Sequence, residues 1–150
     1  MLILLLCNGG MMLKFLSKYE DVALLLARIG IGLSFVILHG WGKITGGPQR
    51  WKSVGTAMKN LGLDFLPVFW GFMAAFSETA GGVLVILGLF FRPAAALILI
   101  TMFVAAVKHI SAGDPLSKIA HPVELGLVMI LFLVIGAGKY SLDYIVWRKS

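Results

Sequence analysis

The sequence predicts an all-α membrane protein, a four-helix transmembrane bundle with a short interfacial amphipathic helix between spans 1 and 2. Three observations carry this. The 150 residues are 59% hydrophobic and only 13% charged, with a mean hydropathy of +0.96. A soluble domain is about 45–50% apolar and about 25% charged, and at this size has too much surface to hide such a surplus. Four stretches approach the roughly 20 apolar residues that cross a bilayer. The few polar residues inside those stretches fall on single helical faces, where they meet other helices and not lipid.

The chain begins MLILLLCNGG. That run is short for a signal-peptide core and lacks a basic leader. Met11 and Met12 precede LKFLSKYEDV, a natural beginning, so residues 1–11 are read as an extension without a fold role and residues 12–150 as the membrane domain. The first span runs over about Val22–Gly40 and carries Arg28. Arg28, Gly32, Phe35 and His39 recur at i, i+4, i+7 and i+11, one stripe of a helix. After the turn signal GGPQ, Trp51, Val54, Met58 and Leu61 form an apolar face with Lys52, Lys59 and Asn60 elsewhere, the pattern of a helix lying in the headgroup layer.

The second span runs over about Leu66–Phe91. Gly71, Ala74, Ala75, Glu78, Gly81 and Gly82 share one stripe. Small residues let helices approach closely, so Glu78 faces a neighbour. The third span, about Ala94–Ile110, follows the short turn Phe91-Arg92-Pro93 and is therefore the antiparallel neighbour of the second. Lys108 and His109 close it. The fourth, about Pro122–Gly138, places Glu124 in a first turn, beside the positive end of the helix dipole. Four spans put both termini on one side. The two sides carry equal numbers of Lys and Arg outside the spans, and Arg28, nearer the termini, tips the terminal side toward the cytoplasm.

An ionised side chain near mid-bilayer costs roughly 2.5–3.5 kcal/mol on insertion scales and wants a partner. Arg28 lies roughly 9 Å from the terminal side and Glu78 roughly 18 Å, at about 1.5 Å per residue. An Arg28–Glu78 pair is the expectation. His39, His109, His121 and Glu124 gather at the opposite end beside Lys43 and Lys108. The candidate buried polar site is thus Arg28, His39, Lys43, Glu78, His109 and Glu124, with no catalytic assignment and no metal.

Composition also excludes functions. Cys7 is the single cysteine, so an intramolecular disulfide, a CxxC pair and a thiolate metal site are ruled out. The net charge of +6 is spread over helix ends without a basic, aromatic-laced stripe for nucleic acid. Haem is disfavoured, because bis-histidine ligation would need His39 and His109 to face each other across the bundle.

HGWGK (His39 to Lys43), SETAGGVLVILGLFFRPAA (Ser77 to Ala96) and SLD (Ser141 to Asp143) resemble, in order and spacing, the DoxX family of small four-helix membrane proteins. The resemblance runs from about Leu13 to Tyr144 and takes in Arg28, His39, Gly40, Lys43, Glu78, Gly81, Gly82, Gly88, Arg92 and Glu124. It implies similarity to the membrane subunit of thiosulfate:quinone oxidoreductase, and hence a small subunit or accessory factor of a quinone-linked redox complex in the cell membrane. Quinone is then the cofactor to expect, held by His39, Lys43, Glu78 and Glu124. Lipid, other membrane or redox subunits, or a second copy are the partners. The other reading is a non-catalytic interaction or assembly protein whose charges only lock the bundle. No thiosulfate motif and no second cysteine accompany the spans, so whether the chain is itself an enzyme is left open.

Overall fold

The computed structural model describes residues 17–147; Met1–Gly10, Met11 and Met12, on which the proposed extension rests, lie outside them. Among the described residues there are helices and no strands. Helix α1 (Glu20–Leu33) continues through a π-helical stretch, Ser34–Gly40, into α2 (Trp41–Ile44). Together they make one apolar rod of 25 residues, Glu20–Ile44. Helix α3 (Gly47–Gly55) follows, extended by a 3₁₀ segment, Thr56–Leu61, which Gly62 ends at φ 78°. Helices α4 (Pro67–Leu87), α5 (Phe91–Ser111) and α6 (Leu116–Ile135) are the remaining spans, and α7 (Leu142–Trp147) is a short terminal piece. Among the described residues, four helices are long and apolar enough to cross a membrane.

The small-residue stripe of the second span sets the packing. Gly82 meets Val36 and Phe35, and Gly40 meets Thr79, so the first span lies directly on α4. Gly81 meets Ile98 on the other side, bringing in α5. Gly126 of α6 then rests on Leu99 and Met102. Phe35, Val85, Phe91, Ile98, Met102, Met129 and Phe132 fill the shared core. Leu26, Leu38, Ile100, Phe103, Leu127 and Val134 stay exposed on the outside, an apolar girdle that suits lipid.

The helix expected between spans 1 and 2 forms, and its apolar stripe is spent on the bundle. Trp51 stacks edge-on against Phe72 at 5.0 Å and donates its indole N–H to the Lys43 carbonyl at 2.8 Å. Backbones touch where α3 crosses α4. A Cβ on Gly71 would overlap the Trp51 carbonyl, and one on Gly55 would overlap the Pro67 carbonyl. Gly71→Ala should therefore cost about 2–3 kcal/mol through forced separation of α3 and α4. Gly30→Ala, with open space around it, should be neutral or slightly stabilising in the same helical context. Thermal melts of both variants in mild detergent check this. Equal melting points would show that α3 does not sit on α4.

Two boundaries differ from expectation. The fourth span begins at Leu116, so Pro122 is a buried residue inside α6 and Glu124 sits beyond its second turn, away from the dipole's positive end. Pro122 lacks the N–H that would bond to Lys118, but the helix has started by then, and neighbouring turns carry it past the gap. The second span ends at Leu87, because Gly88 adopts φ 64° and Phe90 φ 44°. That turn is held by Asp143, whose carboxylate accepts from the N–H groups of Phe90 and Phe91, both at 2.9 Å.

Candidate functional site

The expected Arg28–Glu78 pair does not form. Arg28 is 1% exposed, and its guanidinium donates to four backbone carbonyls: Val85 (3.1 Å), Ile86 (2.8 Å), Ala137 (2.6 Å) and Tyr140 (3.0 Å). It also lies over the Phe91 ring, 5.6 Å from its centroid. The physical reason is the end of α4. The last carbonyls of a helix lack intrahelical partners and carry the dipole's negative end, so a cation there is both paired and hydrogen-bonded. Val85 lies seven residues, about 10 Å, along α4 from Glu78. Gly88 makes the room, since a Cβ there would stand 2.5 Å from the guanidinium. Arg28 is thus the tie between the first span, the end of α4 and the segment after α6.

Glu78 finds Lys43 instead. The ammonium donates to both carboxylate oxygens, at 2.6 and 2.5 Å, and the Glu78 side chain is 2% exposed against 24% for Lys43. The π-helical stretch contributes to this alignment. At about 4.4 residues per turn it shifts the stripe begun by Arg28, Gly32 and Phe35 so that Gly40 follows Phe35 into the bundle. Lys43 then comes round onto α4, and His39 is left at the edge, half-buried, with its ring 5.0 Å from that of His121.

Beside the ion pair lies a cavity of about 590 Å³, walled by α3, the 3₁₀ segment, α4 and α5. Val54, Met58, Phe69, Met73, Leu97, Ile100 and Val104 make it predominantly apolar. Its polar groups are few: Lys43 and Glu78, the Ser77 and Thr101 hydroxyls bonded to each other at 3.0 Å, Arg50, Ser53, Lys108, His109 and Trp70. The indole N–H of Trp70 is buried and has no hydrogen-bond partner. His109 binds Asp114 at 2.8 Å, and Lys118 binds the same carboxylate at 3.1 Å. Those two bonds, that to His109 first, hold the Asp114 carboxyl below the usual carboxylate range. Volume and lining match small-molecule sites, which run to about 300–1,000 Å³ with a few placed polar groups.

A family model, DoxX, matches residues 23–110, more than half of the chain. The protein belongs to the DoxX family. No curated protein and no solved structure matches it. The matched part of this DoxX chain comprises nearly all of the first span and the whole of α3, α4 and most of α5, hence every wall of the cavity; the fourth span lies beyond it.

The six site residues foreseen in the DoxX sequence separate into three places. Lys43, Glu78 and His109 line the cavity. Arg28 is at the terminal end among carbonyls. His39 and Glu124 are on neither; His39 faces His121 rather than His109, and Glu124 is exposed on α6. Sequence reasoning passed over Ser77, Thr101 and Trp70. A signal existed for the first two, since Ser77 and Thr101 each sit at the middle of a 21-residue apolar span, where a hydroxyl needs a partner. Trp70 looked like any aromatic at a membrane boundary.

Proposed function

We propose that this multi-pass DoxX protein is a small subunit or accessory factor of a quinone-linked redox complex of the cell membrane, and that the cavity receives the quinone headgroup. The observation that carries the reading is the buried Lys43–Glu78 pair in the wall of an apolar cavity. A quinone headgroup needs an apolar slot, a donor to each carbonyl and a proton source. Lys43 would serve as a donor and Glu78 as the proton-exchanging group. The quinone itself supplies two-electron, two-proton redox chemistry. Termini on the cytoplasmic side fit Arg28 being nearer that face.

The test is binding. Organic extracts of protein purified in mild detergent should contain quinone by absorbance and mass spectrometry. Decylubiquinone should quench tryptophan fluorescence saturably, and the Lys43→Met/Glu78→Gln double variant should weaken that quenching by about tenfold, the scale of one lost polar contact at roughly 1.4 kcal/mol. Quinone-free extracts together with quenching that never saturates would remove the reading. The non-catalytic assembly reading would then stand. It is favoured by Arg28, a buried charge whose bonds all go to backbone.

A further inference from the structure

Two cations that line the cavity are unpaired. Arg50 on α3 and Lys108 near the end of α5 are both exposed, and neither side chain has an ion-pair or hydrogen-bond partner among the described residues. The carboxylates of the surrounding elements are already taken: Glu78 by Lys43, Asp64 by Lys59, and Asp114 by His109 and Lys118. A quinone headgroup is uncharged and leaves Arg50 and Lys108 without a counter-charge.

Their depth says what kind of anion suits them. Thr101, at the midpoint of α5, lines the cavity and bonds to Ser77. Lys108 lies seven residues further along, about 10 Å closer to the face opposite the termini. Arg50 is on the helix between spans 1 and 2, at that same face. Met58, Met73 and Val104 make the lining apolar, and Leu97 and Ile100 line it while also standing exposed on the outer, lipid-facing surface. The cavity is thus an apolar slot beside the bilayer, with uncompensated positive charge at headgroup depth. A water-soluble anion would pair the cations and leave the slot empty. A neutral lipid would fill the slot and leave the cations unpaired. A molecule with one anionic head and an acyl chain does both, because Lys and Arg near the membrane surface attract acidic headgroups and the chain gains from leaving water.

We propose that the cavity binds an anionic amphiphile, its acyl chain in the slot and its carboxylate or phosphate head on Arg50 and Lys108. The site does not rest on the quinone reading, although the two ligands would compete for one volume.

Titration with brominated lipids in mild detergent, at mildly alkaline pH, tests it. Dibromostearate and a brominated phosphatidylglycerol are the probes, and bromine in the slot quenches Trp70, which lines it. Saturable quenching by either supports the site, and the better probe tells whether the head is carboxylate or phosphate. Arg50→Gln and Lys108→Gln should each weaken binding about fivefold, the scale of one basic residue near an acidic headgroup at about 1 kcal/mol. Lys52→Gln, exposed on the same helix but not lining the cavity, should change it little. Methyl dibromostearate, which keeps the chain and loses the charge, should bind as weakly as the acid binds the Arg50→Gln/Lys108→Gln double variant. Ala105→Phe, which fills the cavity, should abolish saturation; the charge variants stand at exposed positions and carry the test even if that variant does not fold. Quenching that never saturates, equal binding of ester and acid, or an equal loss with Lys52→Gln would overturn the proposal. Acid binding that decylubiquinone does not displace would remove the quinone reading alone, and saturable quinone quenching without acid binding would remove this one alone.

Discussion

Arg28→Met should unfold more readily than the parent chain by about 3 kcal/mol or more, measured by thermal or denaturant titration in detergent. Four carbonyls lose a donor at once, Val85 alone keeping a second in the Gly88 N–H, and an unsatisfied buried polar group costs about 1–3 kcal/mol. Water reaching the widened site will satisfy some of them, which keeps the total below a simple sum. Arg28→Lys should recover only part of the loss. An ammonium keeps the charge but has three donors and no planar fork, whereas the guanidinium reaches Val85, Ile86, Ala137 and Tyr140 together. Quinone-analogue quenching per folded molecule should be unchanged, since Arg28 does not line the cavity. A stable Arg28→Met variant would mean that the three segments it joins do not depend on it.

Lys43→Met and Glu78→Gln should each cost about 3–5 kcal/mol, because either change strands its partner in a low-dielectric place. The double variant should regain much of this, with a coupling at the upper end of the roughly 0.5–3 kcal/mol seen for contacting residues. The loss should be larger for Lys43→Met, which leaves the more deeply buried carboxylate alone. Additive losses would show that the pair does not form in the membrane. The double variant also separates stability from function. If it folds and still fails to bind the quinone analogue, the ion pair serves the cavity. If it folds and binds normally, the charges were structural.

Hydropathy alone found the four spans, and the small-residue stripe correctly aimed Glu78 at a neighbouring helix. The reason is direct: lipid exposure and close helix contact are written in side-chain type. Arg28's partners were not legible, because backbone carbonyls exist at every position and leave no residue pattern to read. Lys43 was placed at a membrane mouth, and its turn toward α4 was missed. That turn depends on a π-helical stretch, a change of helical pitch that the residues Ser34 to Gly40 do not announce. Pro122 misled for the opposite reason. Proline is a strong signal for a helix start, but the polar turn Leu116–Ala120 before it was already helical. The cavity could not be foreseen at all, since it arises from where α3 is seated.

The loop between α4 and α5 has a mechanical meaning. At the terminal end the hairpin is clamped: Asp143 grips Phe90 and Phe91, and Arg28 grips Val85 and Ile86. At the other end α3 is locked to α4 by backbone contact, while α5 meets α4 there across the cavity. The pair of spans is built like a clothes-peg, with its spring on the terminal side and its jaws at the opposite face. Parting α5 from α4 at the jaws would cost the Ser77–Thr101 hydrogen bond and apolar contact, while the bonds at the far end of the hairpin stay made.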